Sequence, residues 1–143
     1  MKKTIFFIAI VFASLGVFAQ SADAVIGKWT NSEGEAHIQI YKKGNKYYGK
    51  LAWLKSPNTQ AGKPKTDVNN SETSLRTRPI LGLEFLKNFS YSDKTWEEGT
   101  IYDPKSGKTY SCKITMSGND KLNVRGYVGI SLIGRTDTWT RVK

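Results

Sequence analysis

The sequence has one cysteine, Cys112, and one histidine, His37, among its 143 residues. A lone cysteine excludes an intramolecular disulfide, a multi-thiolate zinc site and a Cys-x-x-Cys redox pair. A lone histidine makes any Ser-His-Asp or Cys-His relay depend on His37, which falls on the polar side of an alternating segment with no partner near it in sequence. No glycine-rich phosphate loop is present. Asp67-x-Asn69-x-Ser71 begins like a calcium loop, but Glu72 stands where such a loop turns on glycine and Arg78 where it needs a bidentate glutamate. Glu97 and Glu98 are adjacent, and adjacent strand residues face opposite ways, so the pair does not converge on a scissile bond. A solvated turn suits them better. On these grounds no catalytic residue, metal ligand or cofactor site is assigned.

Long apolar runs are scarce as well. The one run, Ile5–Phe18, follows Lys2 and Lys3 and ends in Val17-Phe18-Ala19. A positive start, an apolar stretch and small residues at the junction predict a secretory signal over Met1–Ala19, leaving one domain over 20–143. The run is about 14 residues long, short of the roughly 17–25 that span a bilayer. With the signal removed, no transmembrane span is expected, and the location is expected to be periplasmic or secreted. No cysteine follows the run to carry a lipid anchor.

Charge is one-sided: 22 Lys and Arg oppose 12 Asp and Glu, for a net +10. Without Lys2 and Lys3 the balance is +8. An exported chain rarely meets nucleic acid, so none is expected as a partner. The excess suits solubility and an anionic envelope component, glycan or ligand.

What the sequence has in quantity is alternation. Ala36, Ile38 and Ile40 alternate with His37, Gln39 and Tyr41. Tyr47, Gly49, Leu51 and Trp53 alternate with Tyr48 and Lys50. Tyr110, Cys112, Ile114 and Met116 repeat the pattern, as do Leu122, Val124, Gly126 and Val128. Period-two runs with one apolar side predict antiparallel strands packed on one face. Turn residues separate them: Lys43-Gly44-Asn45, Asp103-Pro104-Lys105-Ser106-Gly107 and Ser117-Gly118-Asn119-Asp120. Short strands without intervening helices point to an all-β sandwich or up-and-down barrel. Lys55–Arg78 stands apart as a long polar segment. Asn70 is placed to cap a short helical turn through Ser71–Arg76, ended by Pro79; a disordered excursion is the other reading.

Candidate binding residues follow from this pattern. Gly27-Lys28-Trp29 places a Trp early in the first strand, where small barrels close one end by stacking an Arg from the last strand on the indole. Arg135 and Arg141 are the available arginines, on the same side as Trp139. If that side faces inward, Arg135 and Asp137 form a buried polar anchor; if the Thr136, Thr138 and Thr140 side does, the charges decorate the surface. Trp29, Tyr47, Trp53 and Trp139 would then serve as aromatic walls, with Tyr127 beside them and Arg125 or Arg135 as an anionic anchor. In the long loop, Asp67, Asn69, Asn70, Arg76 and Arg78 form a contact set, with Lys55, Lys63 and Lys65 adding positive charge.

Gly62–Asn70 with Leu75–Leu83, Gly99–Pro104 with Gly107–Tyr110, Leu122–Tyr127 and Thr136–Arg141 together resemble a family of exported bacterial domains known only as a domain of unknown function. The resemblance runs from about Val25 to Val142. It implies a lipocalin-like (calycin-type) up-and-down β-barrel in a bacterial envelope and implies no established activity. The chain departs from that family in having Lys43, Tyr48 and Tyr127 at cysteine positions, which removes disulfide bracing, and Ser71 at a position where proline is common. The function expected first is binding of a small apolar or amphipathic ligand in the barrel. The alternative is a non-catalytic interaction module whose basic loop meets an envelope protein, glycan or lipid head group.

Overall fold

The computed structural model describes residues 21–130 and 133–143. The expected signal at 1–19 lies outside them. Eight strands follow in chain order: β1 Gly27–Thr30, β2 Ala36–Lys43, β3 Lys46–Leu54, β4 Glu84–Ser92, β5 Thr95–Asp103, β6 Lys108–Ser117, β7 Lys121–Tyr127 and β8 Gly134–Arg141. Each pairs antiparallel with the next, and β8 returns to β1, closing an up-and-down barrel. Closure removes the exposed strand edges that an open sheet would present. The alternating segments supply the inner face: Ile38 and Ile40, Cys112 and Ile114, Leu122 and Val124 are all buried.

The connections make the two ends different. At one end the strands are joined by tight turns at 44–45, 93–94 and 118–120. A 3-10 turn, Ala22–Val25, packs there ahead of β1 and buries Val25. At the other end lie the segments 31–35, 55–83, 104–107 and 128–133.

The tight end is plugged. Trp29 is fully buried and donates from Nε1 to the Val25 carbonyl at 3.0 Å. Trp96 donates to the Ala22 carbonyl at 2.9 Å, and Tyr47 donates to Asp23 at 2.5 Å. Arg141 is the arginine that stacks on Trp29, with its guanidinium carbon 4.2 Å from the ring. The same guanidinium donates to the carbonyls of Ala24, Ile26 and Asn119. One planar fork thus satisfies two carbonyls ahead of β1 and one in the β6–β7 turn, which a point-like ammonium could not do.

Two strands break the alternation. In β4 and β5, Asn88 and Glu98 adopt φ of 64° and 62°. The two strands keep register with each other, but each shifts against its other neighbour: β4 between Tyr47↔Phe89 and Gly49↔Leu86 of β3–β4, and β5 between Trp96↔Ile114 and Gly99↔Cys112 of β5–β6. Such bulges bend the sheet and increase its twist, as barrel closure needs. Gly99 is required here because a Cβ would sit 2.4 Å from the Phe89 ring. Glu97 and Glu98 therefore lie within β5 and not in a turn. The turn is Asp93-Lys94, both at positive φ, four residues earlier.

Candidate functional site

The lumen is filled with side chains. Phe85 of β4 and Trp139 of β8 come from opposite walls, and their ring centroids meet at 6.2 Å. Toward the tight end, the space among Val25, Ile40, Leu86, Phe89, Trp96 and Ile114 has no room for a water molecule. Close packing of this kind is ordinary for eight-stranded barrels, whose interior is just wide enough to be filled.

The last strand turns its Trp side inward. Trp139 is buried, and its Nε1 donates to Asp137 at 2.9 Å, so the indole carries its own polar partner into the wall. Arg135 follows at the rim, opposite Gly126, and is exposed. Trp29 and Tyr47 serve the plug. Trp53 does not line the interior: a bulge between His37 and Ile38 shifts the register, so Trp53 pairs with His37. Its ring meets that imidazole at a tilt of 37°, with centroids 4.5 Å apart, and it is 42% exposed. Arg125 and Tyr127 point outward, flanking the inward Gly126. Arg125 donates to Thr136 on the outer face at 3.0 Å. The eight residues expected to share a ligand therefore divide among plug, lumen, rim and outer wall.

The long loop behaves in the opposite way and brings its residues together. It is an ordered hairpin, with bridges at Asn58↔Pro64 and Thr66↔Pro79. Asp67 is fully buried at its base. One carboxylate oxygen accepts from Tyr102 at 2.6 Å; the other accepts from Asn70 and from Arg78, each at 2.8 Å. Arg78 also lies over the Tyr102 ring at 5.4 Å. Burial alone would raise the Asp67 pKa, but the donors Tyr102, Asn70 and Arg78 outweigh it and hold the carboxyl below its ordinary value. The Tyr102 hydroxyl moves the other way: burial, the hydrogen bond to Asp67 and its charge all raise it.

The rest of the loop set anchors around this centre. The Asn70 side-chain oxygen accepts from the Glu72 N–H at 2.8 Å, at the start of a short 3-10 turn over Thr73–Leu75. Arg76 donates to the Asn70 carbonyl at 2.7 Å. Asn69 donates to the carbonyls of Pro104 and Lys105, clamping the loop to the β5–β6 turn. Gly107 has no alternative there, with φ of 72° and a would-be Cβ 1.9 Å from the Asn69 carbonyl oxygen. The exposed basic residues Lys55, Lys63 and Lys65 take no part in this centre.

Between this loop and the outer face of β4–β6 lies a cleft of about 350 Å³. Its walls include Ser71, Glu72, Leu75 and Arg78 from the loop, and Lys87, Thr100 and Thr109 from the strands. Glu84 lies at one edge, where its carboxylate accepts from Tyr41 and from Lys43. Burial raises the Glu84 pKa, and the donors Tyr41 and Lys43 lower it further than burial lifts it. The cleft thus offers fixed charges of both signs, hydroxyls and a small apolar surface. Sequence reasoning missed Tyr102, Thr100 and Lys87, whose strands are bulged, and Thr109, which stands on the outward side of β6. It also missed that the loop lies against an outer wall.

A bacterial family described as "Uncharacterized protein conserved in bacteria (DUF2147)" matches residues 27–141, which is the whole barrel from the first residue of β1 to the last of β8. The chain belongs to this family. Among the solved structures, the DUF2147 barrel is similar to HP1028 from Helicobacter pylori, which is described as belonging to the lipocalin family. The TM-score is 0.73 at 22% identity, over 82% of each chain. That likeness shows a shared lipocalin-like fold. No curated protein matches the chain.

Proposed function

We propose that this DUF2147 protein is an exported envelope protein that binds a small ligand without transforming it. The lipocalin-like fold suits ligand binding in general. The ligand site is assigned to the cleft between the long loop and the outer wall of β4–β6, in place of the lumen first expected. The observation that carries this reading is the cleft's volume of about 350 Å³, set beside a lumen crossed by the Phe85–Trp139 contact. That volume is at the small end of ordinary ligand pockets. Its lining suits a small polar or zwitterionic molecule with a short apolar part. Arg78 and Lys87 would receive an anionic group, Glu84 a cationic one, and Thr100 and Thr109 a hydroxyl or carbonyl. The basic interaction loop considered from the sequence thus becomes one wall of the ligand site.

Native mass spectrometry of the protein purified from its own envelope tests the proposal. A stoichiometric added mass is expected on the wild type and absent from Thr100→Trp, which fills the cleft from an outward position. An added mass retained by Thr100→Trp overturns the assignment to the cleft. No added mass after incubation with an envelope extract overturns ligand binding.

A further inference from the structure

The open end of the barrel carries exposed apolar side chains that neither the lumen nor the cleft uses. Val128, Ile130 and Ile133 are 62%, 60% and 66% exposed in the β7–β8 connection. They are presented by a bonded turn, since Val128 N–H donates to the Ile133 carbonyl and Ile133 N–H to that of Ile130. On the opposite side of the ring, at the end of β3 and the entry to β4, Trp53 and Leu81 are 42% and 50% exposed. Water-facing apolar residues scattered singly need no explanation, but a set concentrated at one end of a barrel marks a contact surface.

We infer that the open end docks on an anionic phospholipid bilayer. Two observations select this occupant. The apolar residues stand on opposite sides of the mouth, which a flat surface meets together and a bound peptide would not. The charge around them is net positive: Lys55, Lys63, Lys65, Arg76, Lys105 and Arg135 are exposed on the connections and rim of this end against exposed Glu33, Glu35 and Glu72, within a chain of net +8 from Gln20. Apolar side chains entering the interface and basic residues over anionic head groups are the two components of peripheral membrane binding. An exposed Trp at the rim fits the head-group level.

Vesicle flotation with the chain from Gln20 tests the inference, because every strand and the 3-10 turn lie within it. Vesicles containing phosphatidylglycerol should carry the protein up the gradient, and phosphatidylcholine vesicles should carry much less. Raising salt should weaken the binding. Ile130→Asp and Ile133→Asp, at exposed positions, should each lower vesicle affinity about tenfold or more with unchanged circular dichroism and melting. Trp53→Ala should lower it by a smaller factor from the other side of the mouth. Undiminished binding by both Asp variants would overturn apolar insertion and leave a purely electrostatic contact. Failure to bind anionic vesicles, with a concentration-dependent dimer abolished by Ile130→Asp, would overturn the inference in favour of a second copy.

Discussion

The two ends of this barrel solve the same problem, an exposed core, with different materials. The tight end is sealed by apolar bulk and a single arginine: Trp29 and Trp96 are fully buried, and Arg141 lies over the Trp29 ring. The open end carries the long connections, and the longest of them folds back along the outer wall of β4–β6. That loop is held by a buried carboxylate and three donors. Packing resists opening everywhere at once, because loss of one large side chain leaves a void in a shared core. A polar latch fails locally, because its partners regain water when it opens. The tight end should therefore govern global stability and the loop should govern local opening.

The largest break in this comparison is Trp29→Ala. It removes a fully buried indole and the ledge on which Arg141 stacks. The expected loss is about 3–5 kcal/mol, from transfer and cavity together. Urea denaturation reads it as a lower midpoint at unchanged slope. A loss under about 1 kcal/mol would mean that the plug is not what holds the barrel closed. Arg141→Lys keeps the charge and loses the fork, and should give a smaller loss in the same assay.

The second break is Asp67→Ala. It strands the Tyr102 hydroxyl and the Asn70 amide in a buried place, while Arg78 is partly exposed and recovers water. The expected loss is about 2–3 kcal/mol, set by the unpaired groups and not by the ion pair. The distinguishing readout is limited trypsin digestion. Cleavage at Lys63 or Lys65 should speed up in Asp67→Ala under conditions where the barrel remains folded. In Trp29→Ala, by contrast, cleavage should follow global unfolding.

How far the sequence could show these two ends depends on what encodes each. The plug was partly legible, because Trp29 early in β1 and an arginine late in β8 are local patterns, and two-residue spacing put Arg141 on the correct side. The choice between Arg135 and Arg141 needed register, which sets Trp29 beside Arg141. Four strands were legible from alternation. β4 and β5 were not, because bulges at Asn88 and Glu98 reset the period that such a reading depends on. The same failure displaced Trp53, whose expected side assumed an unbroken β3. In the loop, Asp67, Asn70 and Arg78 could be picked out as polar residues lacking an apolar pattern. Tyr102 could not, because it meets Asp67 only through the folded chain, 35 positions away in sequence.

Acid offers a gentler approach to the same latch. The Asp67 carboxyl sits below its unfolded value of about 3.9, so its charged form favours the folded loop. A depressed carboxylate contributes its full stabilisation above the unfolded pKa and loses it as pH falls through the folded one. The loop should thus hold at neutral pH and loosen below about pH 4. NMR signals of the Tyr102 ring and the Asn70 amide should shift before those of Trp29. Asp67→Asn, which cannot titrate, should remove that early step. Simultaneous movement of both ends in the wild type would erase the distinction between packed plug and polar latch.

The smallest expected effect is at Trp53, and it sharpens the comparison by its size. Trp29 and Trp53 are both tryptophans on barrel strands, but Trp53 was turned outward by one irregular pair in the β2–β3 ladder. Its one ring partner, His37, is itself at the surface. An aromatic pair contributes about 0.5–1.5 kcal/mol, and Trp53 in this one is 42% exposed. Trp53→Ala should therefore cost about 1 kcal/mol or less in the urea assay, several-fold below Trp29→Ala. It should also leave trypsin cleavage of the loop unchanged. A cost near that of Trp29 would place the Trp53 ring inside the barrel wall and undo the bulge assignment. A small cost shows that one shifted register pair is enough to convert a core position into a surface one.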